Sequence, residues 1–141
     1  MNYMNAFAIS AAGLQVEKQR LDVTALNLAN MQTTRGVDGK LYQPLRVVAA
    51  PGASFAGHFS SAGALLAQAP QARIETLDLP PRKIHDPGNP AANSDGDVEM
   101  PAINHLTEMV NMTTALRAYE ANVVAMNAAK TMAQRALEIG S

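Results

Sequence analysis

The sequence predicts a mainly α protein, with long N- and C-terminal helices paired as an antiparallel coiled coil and a small β/loop segment between them. Three observations carry this reading. Apolar residues recur every seven positions near both ends, all eight prolines and seven of the nine glycines fall between residues 34 and 101, and large apolar residues are scarce. A seven-residue apolar repeat lays a seam along one side of a helix, and another helix has to cover it. Of the 48% hydrophobic residues, 26 are alanine, and there is no Trp. Alanine brings helices close together but contributes little burial of its own. Thin helical layers suit such a composition better than a thick interior.

The first helix is expected from Asn5 to Asn30, a stretch without proline and with one glycine, Gly13. At 1.5 Å per residue its length is roughly 39 Å. Its seam runs Phe7, Leu14, Leu21, Leu28, with Met4, Ala11 and Ala25 as companions. Asn30, followed by Thr33, Thr34 and Gly36, supplies the stop. The first sixteen residues carry no charge, yet no basic residue opens the run and polar residues interrupt it. The heptad pattern also continues into Asp22, so a cleaved secretory signal is not expected.

The middle segment, residues 34–101, cannot hold a long helix through its prolines. Leu41 to Ala49 and Arg73 to Leu79 are candidate strands, with Ala64 to Gln68 a weaker third. Val37-Asp38-Gly39-Lys40 carries an Asp-Gly turn signal. Pro51 to Ala64, rich in Gly, Ala and Ser, is expected to be a loop or hairpin tip. Asp86 to Pro101 is expected to be an extended connector.

Residues 102–141 form the third zone, with a helix expected up to Ile139, about 36 residues or roughly 54 Å long. Its seam is Met109, Leu116, Val123 and Leu137, with Met112, Tyr119, Met126 and Ala133 between them; Lys130 falls in the same seam. Six formally charged residues occupy the whole stretch from Ile103 to Ile139. A lone solvated helix normally carries more. Small, uncharged residues on several faces suit contact with more than one neighbour.

Little points to chemistry. A net charge of −1 gives no reason to expect nucleic acid or an anionic membrane, and zero cysteines exclude thiolate chemistry. His58, His85 and His105 lack ligand spacing, and the pair His105 and Glu108 alone makes no zinc site. Asn93 to Asp97 hints at a calcium loop, but Ala91 and Ala102 would occupy its first and last ligand positions. No phosphate-cradling glycine motif or nucleophile elbow is present. Neither enzyme, metal, cofactor nor small-molecule substrate is expected.

Two segments carry a resemblance to a known family. Thr24 to Gly36 reads T-A-L-N-L-A-N-M-Q-T-T-R-G, and Ala115 to Met132 reads A-L-R-A-Y-E-A-N-V-V-A-M-N-A-A-K-T-M. The first resembles the N-L-A-N-x-x-T signature of bacterial flagellar rod, hook and hook-associated proteins, here Asn27, Leu28, Ala29, Asn30 and Thr33. The second resembles their C-terminal helix, here Tyr119, Ala121, Asn122, Lys130 and Met132. The short length, D-P-G-N-P at Asp86 to Pro90 and D-G-D-V-E-M-P at Asp95 to Pro101 point more narrowly to a proximal rod subunit. Leu26, Asp97 and the Ala102-Ile103-Asn104 run depart from the family pattern.

The resemblance implies a structural subunit of the flagellar basal-body rod. It implies export through the flagellar type III apparatus without signal cleavage, and polymerisation through the terminal helices with copies of itself and other rod proteins. The product would be a periplasmic drive shaft and export channel serving motility. From the residues, Asn27 and Asn30, at i and i+3, are expected to satisfy carbonyls at the helix end. A soluble cytoplasmic coiled-coil adaptor or export chaperone is the competing reading; it would share the seams but need neither the N-L-A-N signature nor the proline-rich middle.

Overall fold

The computed structural model describes residues 3–34, 39–50 and 71–139. The expected loop at Pro51 to Ala64, the third candidate strand, His58, and Val37 and Asp38 of the turn lie outside the described residues.

Helix α1 spans Tyr3–Asn30. It ends where the sequence places its stop: Asn30 Nδ2 donates to the Leu26 carbonyl at 2.9 Å, and Thr33 donates its backbone N–H to the Asn30 carbonyl at 3.1 Å. Orphan carbonyls of the last turn are met in this way. Gly39 follows with φ of 72°, the left-handed conformation that suits an Asp-Gly turn.

Two antiparallel hairpins come next. Strand β1, Leu45–Ala50, pairs with β2, Gln71–Thr76, with Leu45 opposite Thr76 and Ala50 opposite Gln71. Strand β3, Arg82–His85, pairs with β4, Asp97–Met100, with Arg82 opposite Met100 and His85 opposite Asp97. The second hairpin replaces the extended connector expected over Asp86 to Pro101. Its loop folds on its own polar side chains. Asn93 Oδ1 accepts the backbone N–H groups of Asp95 and Asp97 at 3.0 and 2.9 Å, and Asp86 N–H donates to the Gly96 carbonyl at 2.9 Å. Gly96 has φ of 78°, and a Cβ there would lie 2.9 Å from His85 Cε1. The Asn, Asp and Gly that read as connector are therefore the residues that close a tight hairpin.

Helix α2 spans His105–Ile139. It starts at a cap rather than directly after the last proline: Asn104 Oδ1 accepts the N–H groups of Leu106 and Thr107 at 3.0 and 3.2 Å.

The two helices pack side by side and run antiparallel. Gly13 lies against Asn122, and Asn27 bonds Glu108. Fourteen residues forward along α1 thus match fourteen back along α2. The first hairpin lies on α1, with Val16 and Gln19 beside Gln71 and Ala72. The core is thin and built from small residues: Val16, Val23, Ala115 and Ala129 are buried with the helices, and Val98, Pro101 and Ile103 at the second hairpin and the approach to α2.

Candidate assembly interface

Asn27 is the polar centre of the molecule, 2% exposed. Its Nδ2 donates to the Leu45 carbonyl at 2.8 Å and to Glu108 Oε2 at 3.2 Å. Its Oδ1 accepts the Leu45 N–H at 2.9 Å and the Tyr42 hydroxyl at 3.0 Å. An amide side chain offers two donors and two acceptor positions, and all are used. One residue thereby joins the end of α1, the first residue of β1 and the first turn of α2. The expectation that Asn27 caps its own helix is corrected: Asn30 does that, while Asn27 reaches across the fold.

Glu108, read from sequence as a possible ligand beside His105, instead accepts from Asn27, and its Oε1 accepts from Asn111 at 3.5 Å. Burial, with a contribution from the Glu108 carboxylate, holds the Tyr42 phenol above its ordinary pKa. Arg20 and Arg46, which wall the cleft beside this junction, are paired with Glu17 and Glu75, each at 3.1 Å. Both guanidinium groups are occupied by carboxylates, and the Glu108 carboxylate by the amides of Asn27 and Asn111. The arrangement holds elements together.

Asn122 of the C-terminal motif sits on the bare backbone of Gly13, where a Cβ would lie 2.9 Å from its Nδ2 and 3.1 Å from its Cγ. Gly13 is the one glycine of the first helix and Asn122 a motif residue, and nothing in their spacing along the chain connects them. Their partnership follows from the helix stagger, which a one-dimensional pattern does not contain. Tyr42, Leu45 and the role of Glu108 were missed for the same reason.

The stripe that α2 turns toward α1 runs from Glu108 through Met112, Ala115, Tyr119, Asn122, Met126 and Ala129 to Ala133, all buried or half-buried. Met112, Tyr119 and Met126 of the expected seam lie on it, and Val123 is half-buried beside it. Met109, Leu116 and Leu137 do not: they are 44%, 47% and 76% exposed. On α1, Phe7, Leu14, Leu21 and Leu28 are half-buried, while Val16, Glu17, Val23, Thr24 and Asn27 are buried. Gly13, Ala115 and Ala129 let the helices approach closely, so the leucines flank the contact and do not fill its centre. Ala29 and Ala121 are exposed, as are Lys130 and Met132; Thr33 is half-buried and donates its hydroxyl to Asn30 Oδ1 at 3.3 Å. Lys130 therefore stands outside the intrachain contact, and the stagger is marked instead at Gly13–Asn122 and Asn27–Glu108.

Leu106, Val110 and Val124 add further exposed apolar surface to α2, at 72%, 56% and 68%. Among the described residues no helix is long and apolar enough to cross a membrane. The chain is similar in sequence to known proteins over nearly its whole length. A family model described as the C-terminal region of flagellar basal body rod FlgEFG proteins matches residues 94–139, which hold β4 and α2. The flagellar basal-body rod protein FlgC of Escherichia coli O157:H7 is 38% identical over 144 residues, covering 99% of this chain and 99% of that protein. The FlgC of Bacillus subtilis is 37% identical over 150 residues, again covering 99% of both. The chain belongs to the FlgC family of flagellar basal-body rod proteins. FlgC of Borreliella burgdorferi is 33% identical, with 99% of this chain and 98% of the relative covered.

As a FlgC-family protein the chain is a structural subunit of the flagellar basal-body rod and not an enzyme. The resemblance carried by Asn27 to Thr33 and Tyr119 to Met132 thus leads to the right family. In this FlgC-family chain, two of those motif residues meet the opposite terminal helix: Asn27 bonds Glu108, and Asn122 packs on Gly13.

Proposed function

We propose that the chain enters the rod by polymerising through its terminal helices with copies of itself and other rod proteins. Helices of neighbours complete a coiled-coil layer around α1 and α2. The observation that carries this reading is the open surface on α2: Met109 and Leu116, one heptad apart, are exposed on a helix with few charges. Full burial of each such side chain contributes roughly 1.5–3 kcal/mol, which a partner helix supplies. The family motif residues hold the pair in register for that contact. The subunit reaches its place through the flagellar type III export apparatus without cleavage, and the assembled tube crosses the periplasm as drive shaft and export channel.

Co-sedimentation with isolated basal bodies tests the interface. Leu116→Asp is expected to abolish incorporation, whereas Ser94→Asp, at the exposed tip of the second hairpin, is expected to incorporate normally. Normal incorporation of Leu116→Asp, with normal motility, removes that surface from the interface.

A further inference from the structure

Each terminal helix presents an outer stripe of exposed residues. On α1 it is Ala11, Gln15, Lys18, Asp22, Ala25 and Ala29. On α2 it is Leu106, Val110, Thr113, Arg117, Glu120 and Val124. Both stripes advance by alternating steps of four and three residues, which keeps each on one side of its helix. The first hairpin sits on another side of α1, beside Val16 and Gln19.

Each stripe carries one positive and one negative charge. Lys18, Asp22, Arg117 and Glu120 have no ion pair among the described residues. Laid antiparallel, the stripes match rung for rung: Lys18 meets Glu120, Asp22 meets Arg117, Ala25 meets Thr113 and Ala29 meets Val110. Laid parallel, the same charges set Lys18 against Arg117 and Asp22 against Glu120, like on like. The remaining charges do not oppose the antiparallel match. Glu17 and Arg20 pair with each other, and Glu108 bonds Asn27. Lys130 and Arg135 fall level with residues 3–9 of α1, where the sequence carries no charge. Glu138 has an interaction of its own and takes no part.

The apolar rows beside the stripes agree with the charges. Leu14, Leu21 and Leu28, half-buried, flank the α1 stripe on one side. Val123, half-buried, and the exposed Leu116 and Met109 flank the α2 stripe on the side that meets them. In the same register Leu14 comes beside Val123, Leu21 beside Leu116 and Leu28 beside Met109.

We propose that the outer α2 stripe of one copy lies antiparallel on the outer α1 stripe of a second copy, in the register Lys18–Glu120 and Asp22–Arg117. This rests on the proposed assembly through the terminal helices and gives it faces, direction and register. Within one chain the stagger of Gly13–Asn122 and Asn27–Glu108 puts position 18 level with 117 and position 22 level with 113. Across copies the facing positions lie three or four residues further along α2, a step of roughly 5 Å. The contact joins different surfaces of the two partners and carries an axial step, so it winds into a helical row and does not close.

Exchanging the two charges within a stripe leaves the net charge unchanged. K18D/D22K and R117E/E120R are each expected to lower recovery in basal bodies, from cells whose only copy is the variant, on the order of tenfold through like-charge contacts. All four positions are exposed, so the purified variants are expected to melt close to the parent. The fourfold variant, with both stripes exchanged, is expected to regain parental recovery. Cysteine, absent from the sequence, reports the register. Ala25 and Thr113 stand on opposite outer faces of one helix pair, roughly 13–15 Å apart at least, whereas a disulfide needs Cα atoms within about 7 Å. A 25–113 bridge therefore joins two copies. Basal bodies carrying A25C/T113C, oxidised with copper–phenanthroline, are expected to give a ladder linked through 25–113 by mass spectrometry. No recovery in the fourfold variant, or no 25–113 bridge, overturns the proposal. If either occurs while Leu116→Asp still blocks incorporation, this register fails and the broader interface stands.

Discussion

Asn122 rests on Gly13, with its amide where any larger residue at position 13 would place a side chain. Glycine inside a helix is unfavourable by roughly 0.5–1 kcal/mol against alanine, so its presence at the middle of α1 is explained by this approach. Gly13→Ala is expected to gain the propensity and lose the fit, leaving stability within about 1 kcal/mol of the parent. Gly13→Leu has no such compensation and is expected to cost about 1–3 kcal/mol. Thermal denaturation of both, alone and combined with Asn122→Ala, measures the coupling; simple additivity of Gly13→Leu and Asn122→Ala contradicts the contact.

Asn27→Ala strips partners from the Leu45 N–H and carbonyl, the Tyr42 hydroxyl and Glu108 at once. A buried polar group left unsatisfied costs about 1–3 kcal/mol, so urea denaturation is expected to show a loss of at least about 2 kcal/mol. Asn27→Asp keeps the acceptors, loses both donors and sets a carboxylate beside Glu108. Its stability is expected to recover as the pH falls toward 4, where carboxylates protonate. A pH-independent loss for Asn27→Asp counts against the Glu108 contact.

Tyr42 gives a pH dependence of the same sense, at the alkaline end of the scale. Its folded-state pKa is raised by burial first and by Glu108 second, so the folded chain holds this proton more tightly than the unfolded one. The contribution to stability is complete below the ordinary tyrosine pKa of about 10 and is lost as the pH rises through the folded value. Tyr42→Phe is expected to be less stable at neutral pH by about 0.5–1.5 kcal/mol and to show a shallower loss above pH 10. Parallel alkaline profiles for the two proteins argue against it.

Asn104 Oδ1 caps α2 by accepting the backbone N–H groups of Leu106 and Thr107. Asn104→Ala is expected to lower the melting free energy by about 0.5–2 kcal/mol, and Asn104→Asp or Asn104→Ser to retain most of it. Equal losses in all three variants point away from a capping role.

Leu116→Asp separates folding from assembly. The residue is 47% exposed, and surface substitutions usually stay within about 0.5 kcal/mol. The purified variant is expected to melt close to the parent while failing to enter basal bodies. A large loss of monomer stability assigns the residue to the fold itself.

The sequence by itself determined the two long helices, the stop at Asn30, the flagellar family, and two strands expected at Leu41 to Ala49 and Arg73 to Leu79, which form at Leu45–Ala50 and Gln71–Thr76. Each is local or one-dimensional: apolar spacing, proline and glycine placement, an amide at a helix end, a motif. It also marked the leucine stripes without saying which would be covered, because a heptad states only that some surface is apolar. The tertiary structure decided the stagger of α1 against α2. Small residues at Gly13, Ala115 and Ala129 allow close approach, and that geometry moved the intrachain contact off the leucines. It also brought Asn27 to Leu45 and Glu108, residues 18 and 81 positions away. Such partners are set by how rigid elements pack in space, and no period in the chain encodes the distance between them.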